Sequence, residues 1–411
     1  MEYALLGERL GHSFSPELHA MIGLEGYGKI ELSPADLPPF MRDFPLKGAN
    51  VTIPYKQAVI PYLSELSESA QLTGAVNTIV NRAGRLCGYN TDLDGFIALA
   101  RHLRVDFTAT YTVILGAGGA AKAVGAAALK MGAGKVVNAV RNPSAEGQIP
   151  ISEPQRFADA DIIVNCTPVG MSPDIESSII DISGFRHLSA VLDCIYNPLR
   201  TNLVLNAQAA GIQAEGGLYM LVAQAVEAQK LFRGADFGPD VCDRVFYDLL
   251  RSKRNIVLCG MPTCGKSSVG KVLAARTCRE LIDTDQAIVD RAGMSVQEIF
   301  ARGGEELFRK LEEETIGELS SRQGIIISTG GGAVLRDCNV RSLKRNGVIC
   351  LLERSLDKLK ATPSRPLSAT PEALRALYEA RIPRYRAVAD IMVLNDGPLL
   401  ETVDHIVNYV G

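Results

Sequence analysis

The residues best placed to do chemistry begin more than halfway along the chain. The stretch GMPTCGKS at 260–267 sets Gly260, Gly265, Lys266 and Ser267 at the spacing of a phosphate-binding loop. An apolar run, Asn255 to Cys259, leads in, and a helix-like run, Ser267 to Arg276, leads out. In that context the loop's backbone N–H groups wrap phosphate oxygens and the helix N-terminus adds a favourable dipole. Lys266 is expected to reach the outer phosphates and the Ser267 hydroxyl to hold magnesium. Further on, LIDTD places Asp283 and Asp285 two apart at a strand end, where both should face one side. One acid suits magnesium through water, the other a substrate hydroxyl that it holds or deprotonates. Arg309 lies in a helical run among several acids, and its plain alternative is an exposed ion-pair partner. IIISTGGGAV ends an apolar strand in Gly330, Gly331 and Gly332, which permit close approach of the backbone to a ligand. Arg365 sits in a Pro-containing loop, and Arg381 and Arg384 on or near a late helix. Cys264 is not dictated by the loop pattern. It reads as a small filler, with a reactive thiol at a helix N-terminus as the alternative.

The first 250 residues carry a different set. Gly116, Gly118 and Gly119, with Ala121, approximate the dinucleotide fingerprint after the strand Tyr111 to Leu115. The next strand, Lys135 to Val140, ends at the place where dinucleotide folds choose their cofactor. An acid there accepts the ribose hydroxyl of NAD, whereas this chain has Arg141 and Asn142, and a cation suits the 2′-phosphate of NADP. Upstream, HSFSP gives Ser13 and Ser15, two apart and so on one side of an extended segment. NVTIPYK gives Asn50, Thr52 and Lys56, GAVNT gives Asn77, and NTD gives Asn90, Thr91 and Asp92. Hydroxyls, amides, one lysine and one acid suit a small, polyhydroxylated, acidic ligand. Singly, each is also an ordinary turn or cap residue.

These groups need a scaffold of alternating strands and helices, hence α/β units with parallel sheets. Further strands are expected over Asp161 to Cys166 and Ala190 to Ile195, and helices over Leu218 to about Gly234 and about Pro239 to Leu250. A boundary is placed at the charged stretch 251–254, read as a short linker. A length of 411 residues exceeds a single core. A formal net charge of −3 argues against a nucleic-acid binder working through a general basic surface. No apolar run approaches the roughly 20 residues needed to span a bilayer, and Glu2, Glu8 and Arg9 interrupt any signal-peptide core. Nine scattered cysteines with no C-x-x-C or zinc spacing read as reduced thiols in a cytoplasmic protein.

The first half, roughly residues 1–248, closely resembles shikimate dehydrogenase through HSFSP, KGANVTIPYK, GAVNT, NTD, GAGGAAKA, NCTPVGM, the strand ending at Tyr196, and GGLYMLVAQA. The resemblance implies a two-lobed dehydrogenase, with a substrate lobe of about 1–97 plus 218–248 and a Rossmann-type NADP lobe of about 98–217. It implies that Ser13, Ser15, Asn50, Thr52, Asn77, Tyr196 and Gln224 hold the substrate, that Lys56 and Asp92 form the catalytic pair, and that Gly116, Ala117, Gly118, Gly119, Ala120, Arg141 and Asn142 hold NADP. The family reduces the ring ketone of 3-dehydroshikimate with NADPH. Hydride addition leaves an alkoxide that needs a proton and a nearby positive charge, and Lys56 can supply both while Asp92 orients it. Which of the two transfers the proton stays open. Of the basic residues the family often carries after the second strand of this lobe, only Arg141 is matched.

Residues 255–411 resemble shikimate kinase, a P-loop domain with a parallel sheet, through GMPTCGKSSVG, LIDTD, GEELFRKLE, STGGGAV, RPL and R-x-x-x-Y in the family's order. The resemblance implies that Asp285, Arg309, Gly331, Gly332 and Arg381 bind shikimate, the two arginines clamping its carboxylate. It implies an ATP set of Gly260, Cys264, Gly265, Lys266, Ser267, Ser268 and Arg365, the last on a mobile lid, with magnesium held by Ser267 and, through water, by Asp283. Lys266, Asp285 and Arg365 are then the catalytic residues. Together the halves predict a bifunctional enzyme of aromatic amino acid biosynthesis that acts on small molecules. One rival is a metabolite-sensing regulator that kept both folds without turnover. Against it, each expected catalytic position is filled. The other rival is a dehydrogenase that also takes quinate. The motifs say nothing of oligomeric state.

Overall fold

The computed structural model describes residues 1–11, 13–361 and 368–410. The chain divides into two compact units, Met1–Leu249 and Leu250–Gly411. The helix Val241–Lys253 runs through positions 251–253, and the first strand of the second unit starts at Asn255.

The first unit holds two six-stranded sheets. One runs Gly28–Glu31, Tyr3–Gly7, Gly48–Val51, Thr78–Arg82, Arg85–Tyr89, Glu65–Leu66. It is mixed, where the pattern of elements predicted parallel pairing. Ala83 and Gly84, both at positive φ, close a two-residue hairpin, and such a turn forces Thr78–Arg82 and Arg85–Tyr89 to be antiparallel. Register sets Asn50 opposite Thr78, so these two polar residues are cross-strand neighbours.

The other sheet is wholly parallel: Tyr111–Leu115, Lys135–Val140, Gln148–Pro150, Ile162–Asn165, Ala190–Asp193 and Gln213–Glu215. Numbered along the chain, these strands lie in the order 3-2-1-4-5-6. This is the doubly wound dinucleotide order, whose ligand crevice opens between strands 1 and 4 at their carboxyl ends. Gly116 and Cys166 directly follow those two strands. The helices Thr91–His102 and Leu218–Arg233 pack closely because Gly95 has no side chain. A Cβ there would lie 2.8 Å from the Met220 carbonyl oxygen and 3.0 Å from Gln224 Cβ.

The second unit is one parallel sheet, ordered Leu281–Asp283, Ile326–Ser328, Asn255–Cys259, Gly347–Glu353, Ile391–Leu394. Its central strands are buried on both faces, as their continuous apolar sequence requires. The helix Lys266–Thr277 follows the phosphate loop. The long helix Val296–Ser321 starts at a capping box of Ser295 and Glu298 and is broken at Gly304, whose φ is 67°. Arg309 lies just beyond that break. Among the described residues no helix is long and apolar enough to cross a membrane.

Candidate active sites

In the first unit the lysine and acid meet. Lys56 Nζ is 2.6 Å from Asp92 Oδ2, and both side chains are largely buried. Asp92 opens the helix Thr91–His102, whose N-cap, Asn90, accepts the Asp92 N–H at 3.1 Å. The other carboxylate oxygen, Oδ1, accepts from Asn77 Nδ2 at 2.8 Å. Asn77 Oδ1 in turn accepts from the Thr91 N–H at 2.8 Å. Asn50 joins this network, donating from Nδ2 to Thr78 Oγ1 at 3.0 Å and accepting from Tyr27 OH at 2.8 Å. The carboxylate is thus held by an amide on one side and the ammonium on the other, with its helix N-terminus beneath it.

Ser13 and Ser15 form a second group. The segment is not extended as expected, because Ser15 is the first residue of the helix Ser15–Met21. The hydroxyls still meet, Ser13 Oγ donating to Ser15 Oγ at 3.1 Å. Tyr196 lies against this turn, with its ring 5.1 Å from that of Phe14. Burial raises the Tyr196 phenol, and its hydrogen bond with Ser13 works against that rise. Gln224 donates to the Leu221 carbonyl one turn back, on the face where its helix crosses Gly95. Thr52 sits beside Gly7, where an added Cβ would lie 2.8 Å from its methyl.

The dinucleotide loop reaches the Lys56–Asp92 pair. Gly116 has φ 109°, a conformation glycine adopts freely. The helix Gly119–Lys130 has Gly118 as N-cap with no side-chain cap, leaving its first N–H groups for a ligand. A Cβ on Gly119 would lie 3.3 Å from Lys56 Cδ, so this helix start and Lys56 share one space. Ala117 is exposed and Ala120 half-buried at that turn, and Arg141 and Asn142 are exposed just beyond Lys135–Val140. The glycines, free N–H groups and cation fit a phosphorylated dinucleotide.

Sequence reasoning missed several residues of this unit. Asp193 ends its strand fully buried and accepts from Asn165 Nδ2 at 3.0 Å, Ile195 N–H at 2.9 Å and Thr201 Oγ1 at 2.7 Å. It thereby fixes the turn that carries Tyr196. Burial outweighs these donors and pushes its carboxyl up to about 6. Cys166 and Cys194 face each other at 3.6 Å across neighbouring strands, and burial followed by that contact raises the Cys166 thiol. His19 stacks on Tyr27 with centroids 3.9 Å apart and is held by Gln229 at 3.1 Å. Burial drives its pKa down to about 3, so it is neutral at working pH.

In the second unit a cavity of about 320 Å³ is lined by Thr263, Gly265, Lys266, Ser267, Ser268, Asp283, Asp285 and Gly331 among others. Gly260, Thr263 and Gly265 have φ of 143°, 65° and 102°, which turn the loop's backbone into a cradle. Lys266 Nζ donates to the carbonyls of Gly260 at 2.8 Å and Met261 at 3.1 Å. Asp283 and Asp285 do not alternate on one strand as expected. Asp283 caps the helix Thr284–Ala292, accepting from the Asp285 N–H at 3.0 Å, and Asp285 lies inside that helix. The strand-to-helix turn nevertheless brings both to the same cavity. Ser267 and Asp283 offer hard oxygen donors there, which fit magnesium.

Each of the three glycines faces a polar side chain. A Cβ on Gly330 would strike Asp285, one on Gly331 would lie 3.1 Å from Arg381 Nη1, and one on Gly332 would strike the Arg309 guanidinium. Arg309 is not a free surface arginine: its side chain is 20% exposed, and it pairs with Glu312 at 2.8 Å and Glu305 at 3.1 Å. Burial opposes its charge, but the Glu312 and Glu305 carboxylates raise its pKa above the ordinary value. Arg381 sits beside Tyr385, which donates to the Gly331 carbonyl and whose phenol burial pushes up to about 12. Arg384 instead donates to Asp337 and the Val334 carbonyl. Cys264 is fully buried in the hydrophobic core, so the reactive-thiol alternative fails on access. Arg365 lies outside the described residues.

A family model described as shikimate dehydrogenase substrate binding domain matches residues 5–79. Over 268 residues the chain is 38% identical to the shikimate dehydrogenase (NADP(+)) of Symbiobacterium thermophilum, which spans 58% of this chain and 90% of that relative. The chain belongs to the shikimate dehydrogenase family. A second family model, shikimate kinase, matches residues 262–410, so the dehydrogenase is joined to a shikimate kinase domain. The chain is therefore a bifunctional shikimate-pathway enzyme. Among solved structures, shikimate dehydrogenase 1 from Peptoclostridium difficile superposes with a TM-score of 0.57 at 32% identity, covering 60% of this chain and 97% of that one. A quinate dehydrogenase from Corynebacterium glutamicum, in complex with NAD, gives a TM-score of 0.54 at 32% identity, with 60% and 98% covered.

Proposed function

We propose that the first unit reduces 3-dehydroshikimate to shikimate with NADPH and that the second phosphorylates shikimate on its 3-hydroxyl with Mg-ATP. The observation that carries this reading is the Lys56–Asp92 contact of 2.6 Å beside the dinucleotide loop, accompanied in the second unit by a phosphate loop sharing a cavity with Asp283 and Asp285.

In the dehydrogenase, Ser13 and Ser15 offer paired hydroxyls for the substrate carboxylate, with Tyr196 against them. Asn50, Thr52, Asn77 and Gln224 hold the ring hydroxyls. Gly116, Ala117, Gly118, Gly119, Ala120, Arg141 and Asn142 would hold NADPH, which would supply the hydride and leave as NADP. The Lys56 ammonium stands where the ketone oxygen gains charge, so it stabilises the alkoxide and, with Asp92, delivers its proton. The bond from Asn77 keeps Asp92 turned toward Lys56.

In the kinase, Arg309 and Arg381 grip the shikimate carboxylate over Gly331 and Gly332, and Asp285 holds or deprotonates the 3-hydroxyl. Lys266 and Arg365 spread the charge of the transferring phosphoryl group. Ser267, and Asp283 through water, hold magnesium, which neutralises phosphate charge. Gly260, Gly265 and Ser268 contribute backbone N–H groups to the phosphates, while Cys264, whose N–H goes to the Met261 carbonyl at 3.2 Å, holds the loop's turn.

The substrates are small molecules of the cytoplasm. Incubating the chain with 3-dehydroshikimate, NADPH and Mg-ATP should yield shikimate 3-phosphate by mass and ³¹P spectra. Accumulated shikimate, or no consumption of NADPH, would overturn one half or the other. Equal sequence identity to a quinate dehydrogenase keeps quinate as a second dehydrogenase substrate. Rates on shikimate and quinate with NADP and NAD separate the two readings.

A further inference from the structure

The cavity beside the phosphate loop holds a cation that no motif assigns. Arg354 directly follows the strand Gly347–Glu353, which pairs with the loop's own strand, Leu351 opposite Cys259. The backbone carrying it is clamped on both sides. The Glu353 carbonyl accepts from the Asn395 N–H at 2.7 Å, and the Ser355 N–H donates to Asp396 Oδ1 at 3.0 Å. The segment then reaches back to the loop, the Lys360 N–H donating to Thr263 Oγ1 at 3.0 Å. From this fixed point Arg354 lines the same cavity as Thr263, Gly265, Lys266, Ser267 and Ser268.

A partly buried arginine is ordinarily matched by a carboxylate. The acids that flank it in the chain and beyond the adjoining strand are already committed. Glu353 accepts from Arg386, and Asp396 accepts from Ser355 and pairs with Lys358 at 3.6 Å. Among the described residues no carboxylate pairs with Arg354, and its Nε is shut off from solvent with no hydrogen-bond partner. Lys266 is a second cation on the same cavity wall, held by backbone carbonyls rather than by an acid. Asp283 and Asp285 line the cavity as well, but Asp283 caps its own helix and, among the described residues, neither acid forms an ion pair with Arg354 or Lys266, so both cations still have room for an incoming anion. A guanidinium presents a planar fork that matches phosphate oxygens in a bidentate way.

We propose that Arg354 contacts the phosphate oxygens of the nucleotide bound in this cavity and shares their charge with Lys266. The proposal rests on the reading that the cavity takes ATP. Titration calorimetry on the full chain, with ATP and separately with inorganic pyrophosphate, tests it. Arg354→Gln should weaken both ligands about tenfold or more, as loss of a charge-assisted contact does. Shikimate affinity and dehydrogenase turnover should stay within about twofold. Arg354→Gln that binds pyrophosphate and ATP as tightly as the parent overturns the proposal, as does an equal loss of shikimate affinity. Failure of the parent chain to bind either ligand sinks the ATP reading instead. A measurement on the unaltered chain covers the case of a variant that does not fold. Pyrophosphate should protect Arg354 from an arginine-directed dicarbonyl, mapped by peptide mass, and equal modification with and without pyrophosphate contradicts the assignment.

Discussion

The Arg309 guanidinium occupies the space that a side chain on residue 332 would fill, so Gly332 is where the second unit makes room for this arginine. Glu312 and Glu305 hold the arginine in that place from its own helix. Gly332 itself has φ −95°, so alanine there meets no backbone strain, only the arginine.

Gly332→Ala should therefore act through Arg309 alone. Kinase kcat/KM for shikimate should fall about tenfold to a hundredfold, the worth of one charge-assisted contact, while the affinity for ATP holds. A variant that weakens ATP and shikimate alike would mean the glycine shapes the whole cavity.

His19 should make the first unit acid-labile. Its pKa falls from the ordinary 6.5 to about 3 on burial, so between those values the unfolded chain binds one more proton than the folded chain. Stability from this source is present above about pH 6.5 and is lost as pH falls toward 3, by about 1.4 kcal/mol per pH unit. In His19→Gln the denaturation midpoint, followed by dehydrogenase activity, should converge on that of the parent as pH falls from 6.5 to 4. Parallel curves would show that His19 does not carry the slope.

Cys264 should resist alkylation in the native chain. It is fully buried, and its carbonyl accepts from Asn395 Nδ2 at 2.7 Å, which pins the loop around it. An alkylating reagent should label Cys278, the exposed cysteine, well before Cys264. Rapid loss of kinase activity that ATP prevents and Cys264→Ala abolishes would contradict this.

Elements with a continuous local signal were legible. Tyr111–Leu115, Lys135–Val140 and Asn255–Cys259 are apolar runs, two of them closed by glycine loops, and the structure has them with those limits. The mixed sheet was not foreseen, because its hairpin turn at Ala83 and Gly84 carries no strong turn dipeptide. The candidate site was legible where each residue sits in a motif, as with Lys56, Asp92, Lys266 and Gly332. It was illegible where a residue matters only through a fold neighbour. Cys166 and Cys194 meet across adjacent strands from 28 positions apart. Asp193 gains its buried contacts from three separate segments. Arg354 belongs to no motif in the sequence, and only the placement of Glu353 and Asp396 with other partners shows that no carboxylate among the described residues pairs with it.

The central claim is that one chain performs two consecutive reactions at two independent sites. A coupled assay on the intact chain with 3-dehydroshikimate, NADPH and Mg-ATP tests it most directly, run beside Lys56→Ala and Lys266→Ala. Lys56→Ala should lose NADPH oxidation by about a hundredfold or more yet phosphorylate added shikimate at the parent rate. Lys266→Ala should oxidise NADPH normally and stop at shikimate. Loss of both steps in either variant, or of neither, would contradict the account.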